Sequence, residues 1–293
     1  MTDRYKAKAG FIAASALWGT LSVFVKNIEL SSAGVALCRA VLAVVVIGAW
    51  LLLTGRAGTL RGAGREAPLL AASGAAMGIN WMLLFEAYKY TTVSSATLSY
   101  YFAPVLVTAL CPFLYREKLT KRQVFCFVMS TIGLALVVAG GTGLAGAGLK
   151  GICLGLGAAL FYAAVILINK GLTRLGGIQR TFYQLLAATV VLTPYTLFTG
   201  SLELSELDSA GWASLLTVGI VHTGIAYCVY FSALGKMSGQ EASVLSYIDP
   251  LSAVIVSVAV LGEPISAAQA LGGALILGFA MLNELPAKKE KAP

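Results

Sequence analysis

Long apolar stretches separated by short polar joints make up most of this chain. A helix that crosses a membrane needs about 20 predominantly apolar residues. The pattern therefore predicts ten spanning segments, at residues 9–27, 33–54, 68–88, 92–115, 122–140, 149–169, 178–199, 210–234, 239–261 and 266–283. Because most joints are very short, we expect consecutive segments to form antiparallel hairpins.

One part of the pattern occurs twice, since residues 78–117 align without a gap with residues 224–263. Each copy contains Tyr-x-x-Pro, followed by a glutamate thirteen places after the proline. The positions that recur are Gly78, Ile79, Phe85, Ala87, Ala96, Tyr101, Pro104 and Glu117, as Gly224, Ile225, Phe231, Ala233, Ala242, Tyr247, Pro250 and Glu263. Two such units predict a duplicated membrane bundle.

The duplication predicts an all-α integral membrane protein with ten transmembrane helices in two repeats. Five is an odd number of crossings, so the second five-helix repeat should be inverted relative to the first. We expect the first repeat at 1–140, a glycine-rich joint at 141–148, the second repeat at 149–285 and a basic tail at 286–293. Inverted repeats typically hold a substrate site between the halves, near the middle of the membrane.

Composition supports a membrane protein and excludes several classes of site. The chain is 58% hydrophobic and 12% charged, whereas a soluble domain has about 25% charged residues. The five cysteines lie inside apolar runs without metal-ligand spacing, so we expect neither a metal nor another cofactor. The basic residues responsible for the net charge of +8 are distributed along the chain as membrane topology requires, so we do not expect nucleic acid as a partner.

Basic residues indicate the orientation, because cytoplasmic loops carry an excess of lysine and arginine. With both termini in the cytoplasm, 17 of the 21 basic residues fall on the cytoplasmic side. The opposite side then holds Lys26, Lys89 and Lys150, together with an acidic loop at 201–209. We therefore expect a multi-pass protein of the cell (inner) membrane with both termini cytoplasmic.

The chain resembles the EamA type of the drug/metabolite transporter superfamily over essentially its whole length. The resemblance is carried by Leu17-Trp18-Gly19, by Arg39, and by the proline-to-glutamate spacing that ends in Arg116-Glu117 and Gly262-Glu263. Arg116 precedes the glutamate in the first copy, at a position where the family often has glycine. The resemblance implies ten helices, a central cavity and export of amino acids, nucleosides or other small metabolites.

Four ionisable residues inside the segments are candidates for function, because charges within a membrane are costly. Arg39 and Glu86 lie at similar depth on neighbouring segments, so they could pair, or Arg39 could bind a substrate carboxylate. Asp249 lies mid-segment, where it could bind an ammonium group, carry a coupling proton, or accept hydrogen bonds beside a kink. His222, with Tyr227 and Tyr230 in reach, is a polar residue facing the bundle or a proton relay.

Prolines and aromatic residues predict where a cavity lies. Pro104 and Pro250 should break the fourth and ninth segments near mid-membrane, where unpaired backbone can line a cavity. Aromatic and hydroxyl side chains recur on single helix faces, which indicates either packing or an inward-facing binding surface. The candidates for substrate contact are Trp18, Ser22, Trp81, Phe85, Tyr101, Tyr162, Tyr227 and Tyr247.

These features favour a secondary transporter over an ATP-driven pump or an enzyme. No ATP-binding motif occurs, and Asp249, Glu86 and His222 lie on separate segments without the spacing of a catalytic site. We expect an exporter of amino acids or similar small amphiphilic metabolites that works by alternating access as a monomer or homodimer. The alternatives are an exporter of nucleosides or cationic drugs and, in a different class, an intramembrane enzyme or a channel.

Overall fold

The computed structural model describes residues 2–115, 119–140, 147–237 and 239–285, and every regular element in these ranges is a helix. The α-helices are α1 (Thr2–Gly19), α2 (Leu21–Val25), α3 (Ser32–Leu53), α4 (Ala67–Ala87), α5 (Val93–Tyr100), α6 (Ala103–Tyr115), α7 (Lys121–Gly140), α8 (Ala147–Lys170), α9 (Gly177–Phe198), α10 (Ser209–Leu216), α11 (Ala226–Leu234), α12 (Gly239–Ser246), α13 (Ile248–Ala259) and α14 (Ala267–Glu284). Two 3₁₀ helices, Ala57–Glu66 and Leu204–Glu206, and a π-helix, Thr217–Ile225, complete the described part.

These elements form ten apolar helical stretches in the described ranges, as the hydrophobic pattern predicts. Eight are long and apolar enough to cross a membrane: Asp3–Val25, Ser32–Leu53, Ala63–Ala87, Val93–Cys111, Lys121–Gly140, Gly148–Lys170, Gly177–Phe198 and Ser209–Leu234. Two are shorter, Val244–Ala259 and Ala267–Asn283. The prediction of an all-helical membrane protein of ten helices in two repeats is confirmed. The predicted tail at 286–293, most of the predicted joint and Glu117 lie outside the described residues.

The fourth and ninth stretches are each interrupted just before their proline. In the fourth, α5 ends at Tyr100 and α6 begins at Ala103, one residue before Pro104. In the ninth, α12 ends at Ser246 and α13 begins at Ile248, two residues before Pro250. Proline is well tolerated in the first turn of a helix, where its missing N–H has no partner to lose. Both prolines therefore begin a new helix, and the break falls on the residues that precede them.

Glycines allow helices of the two halves to approach each other closely. A Cβ atom built on Gly133 of α7 would lie 2.7 Å from the carbonyl oxygen of Gly272 on α14. One built on Gly74 of α4 would lie 2.3 Å from the carbonyl oxygen of Gln184 on α9. Small residues at such crossings let backbones pack closely inside a membrane, where apolar area gives little driving force.

The bundle has two ends, which are held by different contacts. At the end where α1 begins, called here the N-terminal end, Arg4 and Lys8 form ion pairs of 2.8 and 2.6 Å with Glu241. At the far end, the Ser31 hydroxyl donates to the carbonyl of Ser201 at 2.9 Å. Each of these contacts joins the first half of the chain to the second.

Candidate functional site

A cavity of about 330 Å³ lies between the two halves and is lined by residues of both. Six of the eight residues predicted for substrate contact line it: Trp18, Ser22, Trp81, Tyr101, Tyr162 and Tyr227. Further aromatic residues that the sequence analysis did not select complete its walls: Tyr88, Tyr100, Tyr230 and Phe231. A larger depression of about 450 Å³ lies elsewhere, between the start of α1 and α11, and has none of these residues.

Phe85 and Tyr247, the other two predicted contact residues, do not line this cavity. Phe85 is buried in the main apolar core, where its ring lies 5.6 Å from the Arg39 guanidinium carbon. Tyr247 packs against Leu98 and Val137 and borders an apolar groove beside α14. By the repeat alignment Tyr247 corresponds to Tyr101, but Tyr101 lines the cavity and Tyr247 does not.

Arg39 is 4% exposed and lines the cavity from α3. Its Nε donates to the Thr223 hydroxyl at 2.7 Å, and its guanidinium carbon lies 4.0 Å from the centre of the Trp81 ring. A guanidinium stacked on an indole is a favourable cation–π pair, and more so where water is excluded. The cation is thus held by contacts from both halves of the chain.

The expected pairing of Arg39 with Glu86 is wrong. The Glu86 carboxylate accepts from the Ser32 hydroxyl at 2.6 Å and pairs with Lys89 at 3.1 Å. Glu86 is the second-last residue of α4, so partners in the adjoining loop and at the start of α3 reach it first. Arg39 lies about two turns further along α3, beside the cavity.

Asp249 is the carboxylate that faces the cavity in the described part of the chain. It lies in the first turn of α13, and its Oδ2 accepts a hydrogen bond from the Tyr101 hydroxyl. Tyr101 belongs to the first half and Asp249 to the second, so this contact also crosses between them. Among the described residues, no ion pair joins Asp249 to Arg39.

His222 lies outside the cavity lining and is 1% exposed. Its Nε2 is 3.0 Å from the Thr20 hydroxyl and its Nδ1 is 3.3 Å from the Thr217 carbonyl. Its ring packs on Phe24, so the expected approach to Tyr227 and Tyr230 is not observed. The His222 carbonyl accepts from Trp18 Nε1 at 2.7 Å, so the histidine's backbone orients a residue that lines the cavity.

The π-helix explains these positions. Thr217–Ile225 forms wider turns than an α-helix, and the Thr223 hydroxyl donates back five residues to the Val218 carbonyl at 2.7 Å. The extra residue per turn brings Thr223 to Arg39 and the carbonyl of His222 to Trp18. π-turns inside α-helices are frequent at functional sites. No feature of the apolar pattern over 210–234 predicted this change of helix type.

Rings of the two halves contact one another around the cavity. Tyr100 stacks on Tyr162 with ring centres 5.1 Å apart. Trp18 meets Tyr227 and Tyr230 at 5.3 and 5.1 Å. Aromatic faces of this kind bind apolar side chains and cationic groups alike.

An amide cluster lines the part of the cavity nearest the N-terminal end, and the sequence analysis did not select it. Asn169 is the second-last residue of α8, and Gln184 lies two turns into α9. Gln184 Nε2 donates to the Ser73 hydroxyl at 2.6 Å and to Asn169 Oδ1 at 2.7 Å. The sequence does contain a signal for this cluster, because amide side chains occur within the apolar segments 149–169 and 178–199.

Glu263, the glutamate of the second repeat copy, closes the far end of the bundle. Its carboxylate pairs with Lys26 and accepts from the Val93 backbone N–H at 2.7 Å. It also accepts from Ser257, whose hydroxyl oxygen in turn accepts from Ser94 at 2.7 Å. These contacts tie α13 to the start of α5 and to the end of the first crossing, beyond the cavity.

Comparisons with known proteins agree with this architecture. The EamA-like transporter family matches residues 7–139 and 149–284, so it occurs once in each half. The chain is 30% identical over 262 residues to the uncharacterized transporter YxxF of Bacillus subtilis, covering 89% of this chain and 83% of that protein. It is 26% identical over 276 residues to an uncharacterized transporter of Archaeoglobus fulgidus, covering 94% and 95%. A crystal structure with 21% identity has the same fold, with a TM-score of 0.66 over 95% of this chain and 96% of that one.

Proposed function

Because the chain belongs to the EamA-like transporter family, we propose that this membrane transporter exports amino acids or similar small amphiphilic metabolites. Membership of a transporter family sets aside the intramembrane enzyme. In the proposal the protein is a secondary transporter in the cell (inner) membrane, with both termini in the cytoplasm.

The observation that carries the proposal is a cavity with one cation and one anion that do not pair with each other. Arg39 and Asp249 both line it, and each is hydrogen-bonded to the opposite half of the chain. An arginine fork suits a carboxylate, and an aspartate suits an ammonium group. Aromatic walls between them suit an apolar side chain. A zwitterionic amphiphile has all three features.

The different contacts at the two ends of the cavity support alternating access. On the N-terminal side, the cavity lining extends to Asn169, the second-last residue of α8, and to Leu234, the last residue of α11. On the far side, the contacts of Glu263 hold the halves together. In the proposed orientation, this arrangement receives substrate from the cytoplasm. Export then requires the far-end contacts to separate and the N-terminal end to close.

The test is flux into proteoliposomes that contain the purified protein. We expect saturable counterflow of a radiolabelled amino acid, and we expect Asp249→Asn to raise the half-saturation concentration about tenfold or more. The reason is that a hydrogen bond to a charged group in a buried site contributes on the order of 1.5–3 kcal/mol. Glu206→Gln is the matched control, because it removes the same charge from an exposed loop position.

The outcomes separate the alternatives. Linear, non-saturating flux would indicate a channel instead of a carrier. Saturable flux of nucleosides or cationic drugs, with none of amino acids, would replace the proposed substrate class. Unchanged amino-acid transport in Asp249→Asn would remove Asp249 from substrate binding.

A further inference from the structure

We infer that the cavity contains a second recognition subsite, which binds a planar group carrying an N–H donor beside a C=O acceptor. The subsite is formed by Asn169 and Gln184, with Thr181 one turn before Gln184 on the same helix. This inference rests on the proposed function and specifies the neutral end of its substrate. The chemistry is that of a carboxamide or of a nucleobase edge.

The hydrogen bonds around Ser73 fix the orientation of each amide relative to the other. Gln184 Nε2 uses its two hydrogens, one towards the Ser73 hydroxyl at 2.6 Å and one towards Asn169 Oδ1 at 2.7 Å. The Ser73 hydroxyl in turn donates to Asn169 Oδ1 at 3.4 Å. Exchanging O and N on either amide would set two donors or two acceptors against each other. Exchanging both amides together gives the other consistent arrangement, in which Asn169 donates to Gln184 and Ser73, so the two amides always present opposite groups.

Either arrangement leaves one acceptor and one donor for the cavity, which in the arrangement described are Gln184 Oε1 and Asn169 Nδ2. Both Asn169 and Gln184 line it, and Gln184 is 2% exposed. No described residue donates to Gln184 Oε1 or accepts from Asn169 Nδ2. Neither atom is among the fully buried side-chain atoms that lack a partner, so both are accessible from the cavity. A ligand that accepts from Asn169 and donates to Gln184 would satisfy both.

The subsite differs in kind from the charged part of the cavity. Arg39 and Asp249 recognise charges of opposite sign, whereas the two amides are neutral and discriminate by hydrogen-bond pattern. A site built to hydrogen-bond a substrate N–H rejects an analogue without it more strongly than an apolar pocket rejects an added group. Substrates with an amide end should therefore be preferred over apolar substrates of the same length.

The experiment measures transport of two matched pairs of probes in proteoliposomes. L-Glutamine and L-norleucine differ in the carboxamide, and uridine and 3-methyluridine differ in the N–H of the base edge. We expect at least one polar probe to be transported about tenfold more efficiently than its analogue. The pair that shows the difference identifies an amino-acid or a nucleoside source.

The variant Asn169→Asp tests the assignment directly. It keeps the oxygen that accepts from Gln184 and Ser73, but it replaces the cavity-facing donor by an acceptor. We expect the preference within the discriminating pair to disappear. Asn169→Ala, which adds no charge, should have the same effect. Gln179→Glu is the control, since it adds a negative charge on α9, the helix of Gln184, away from the cavity lining.

The results distinguish this inference from the proposed function. Equal transport of both members of each pair, unchanged by Asn169→Asp, would overturn the amide subsite and leave amino-acid transport standing. A preference that survives both Asn169 variants would overturn it too. Absence of saturable transport for all four probes would contradict both.

Discussion

At the scale of single residues, the cavity is defined by how its charges are held. Arg39 and Asp249 do not neutralise each other, and each depends on a hydroxyl from the opposite half, Thr223 or Tyr101. A rigid-body movement of one half against the other would change both hydrogen bonds at once. Substrate binding and the relative position of the halves are therefore coupled through the same two side chains.

Arg39→Lys should impair transport although it retains the positive charge. The Arg39 side chain donates from Nε to the Thr223 hydroxyl and stacks its planar guanidinium on Trp81. Lysine has no planar group and a single ammonium, so it cannot make both contacts. We expect transport efficiency for an amino acid to fall roughly tenfold, measured as initial flux against concentration in proteoliposomes.

The matched control is Arg56→Lys. Arg56 also stacks on an indole, that of Trp50 at 5.3 Å, but at an exposed position outside the cavity. It should transport as the unmodified protein does. Equal effects of the two substitutions would mean that Arg39 contributes only its charge or its packing.

At the scale of elements, the two broken helices differ from ordinary proline-containing helices. Pro194 lies inside α9, which continues through it from Gly177 to Phe198. Pro104 and Pro250 instead each follow a break, and both breaks are next to a residue that lines the cavity. Position in the bundle, and not proline alone, determines whether a helix is interrupted.

Pro250→Ala should slow turnover more than it destabilises the protein. Alanine can donate a backbone hydrogen bond across the break, so it favours a continuous helix and constrains the position of Asp249. We expect the maximal transport rate to fall several-fold while the melting temperature shifts by no more than about 3 °C. Pro194→Ala is the comparison, and it should leave the rate unchanged. Loss of folding without a specific loss of rate would assign Pro250 to packing.

The hydrophobic pattern was sufficient for the elements and insufficient for their detailed geometry. Ten apolar segments and the duplication follow from composition along the chain, because membrane thickness sets helix length. The π-helix over Thr217–Ile225 and the rotation of Tyr247 away from the cavity do not follow, because both depend on packing between distant helices. Glu86 illustrates the same limit: depth in the membrane suggested Arg39, but the loop beside it supplied Ser32 and Lys89.

At the scale of the whole molecule, the ends of the bundle have different roles. At the N-terminal end, Glu241 forms ion pairs with Arg4 and Lys8, and these side chains are partly exposed. Glu263 at the far end joins a cation, a backbone N–H and a hydroxyl. Contacts between the halves are also numerous at the N-terminal end, where Glu66 accepts from the backbone N–H groups of Thr173 and Arg174 at 2.9 and 3.1 Å.

The orientation of the bundle can be measured by labelling. We expect a membrane-impermeant thiol reagent applied to intact cells to modify Glu206→Cys and not Arg56→Cys, because basic residues favour the cytoplasmic side. Both positions are exposed. The protein with its five native cysteines supplies the background. Labelling of position 56 alone would contradict the proposed orientation and, with it, the proposed direction of transport.

The division of the two charges between the halves bears on the protein's ancestry. By the repeat alignment, Ala103 occupies the place of Asp249 in the first half. The equal lengths of α3 and α9 put Gln184 at the place of Arg39 in the second half. A pair of identical first halves would therefore enclose two arginines and no carboxylate, and a pair of second halves would enclose the reverse. Like charges in one desolvated cavity repel strongly. The present cavity became electrically balanced only once the two copies could diverge, so its halves are no longer interchangeable parts.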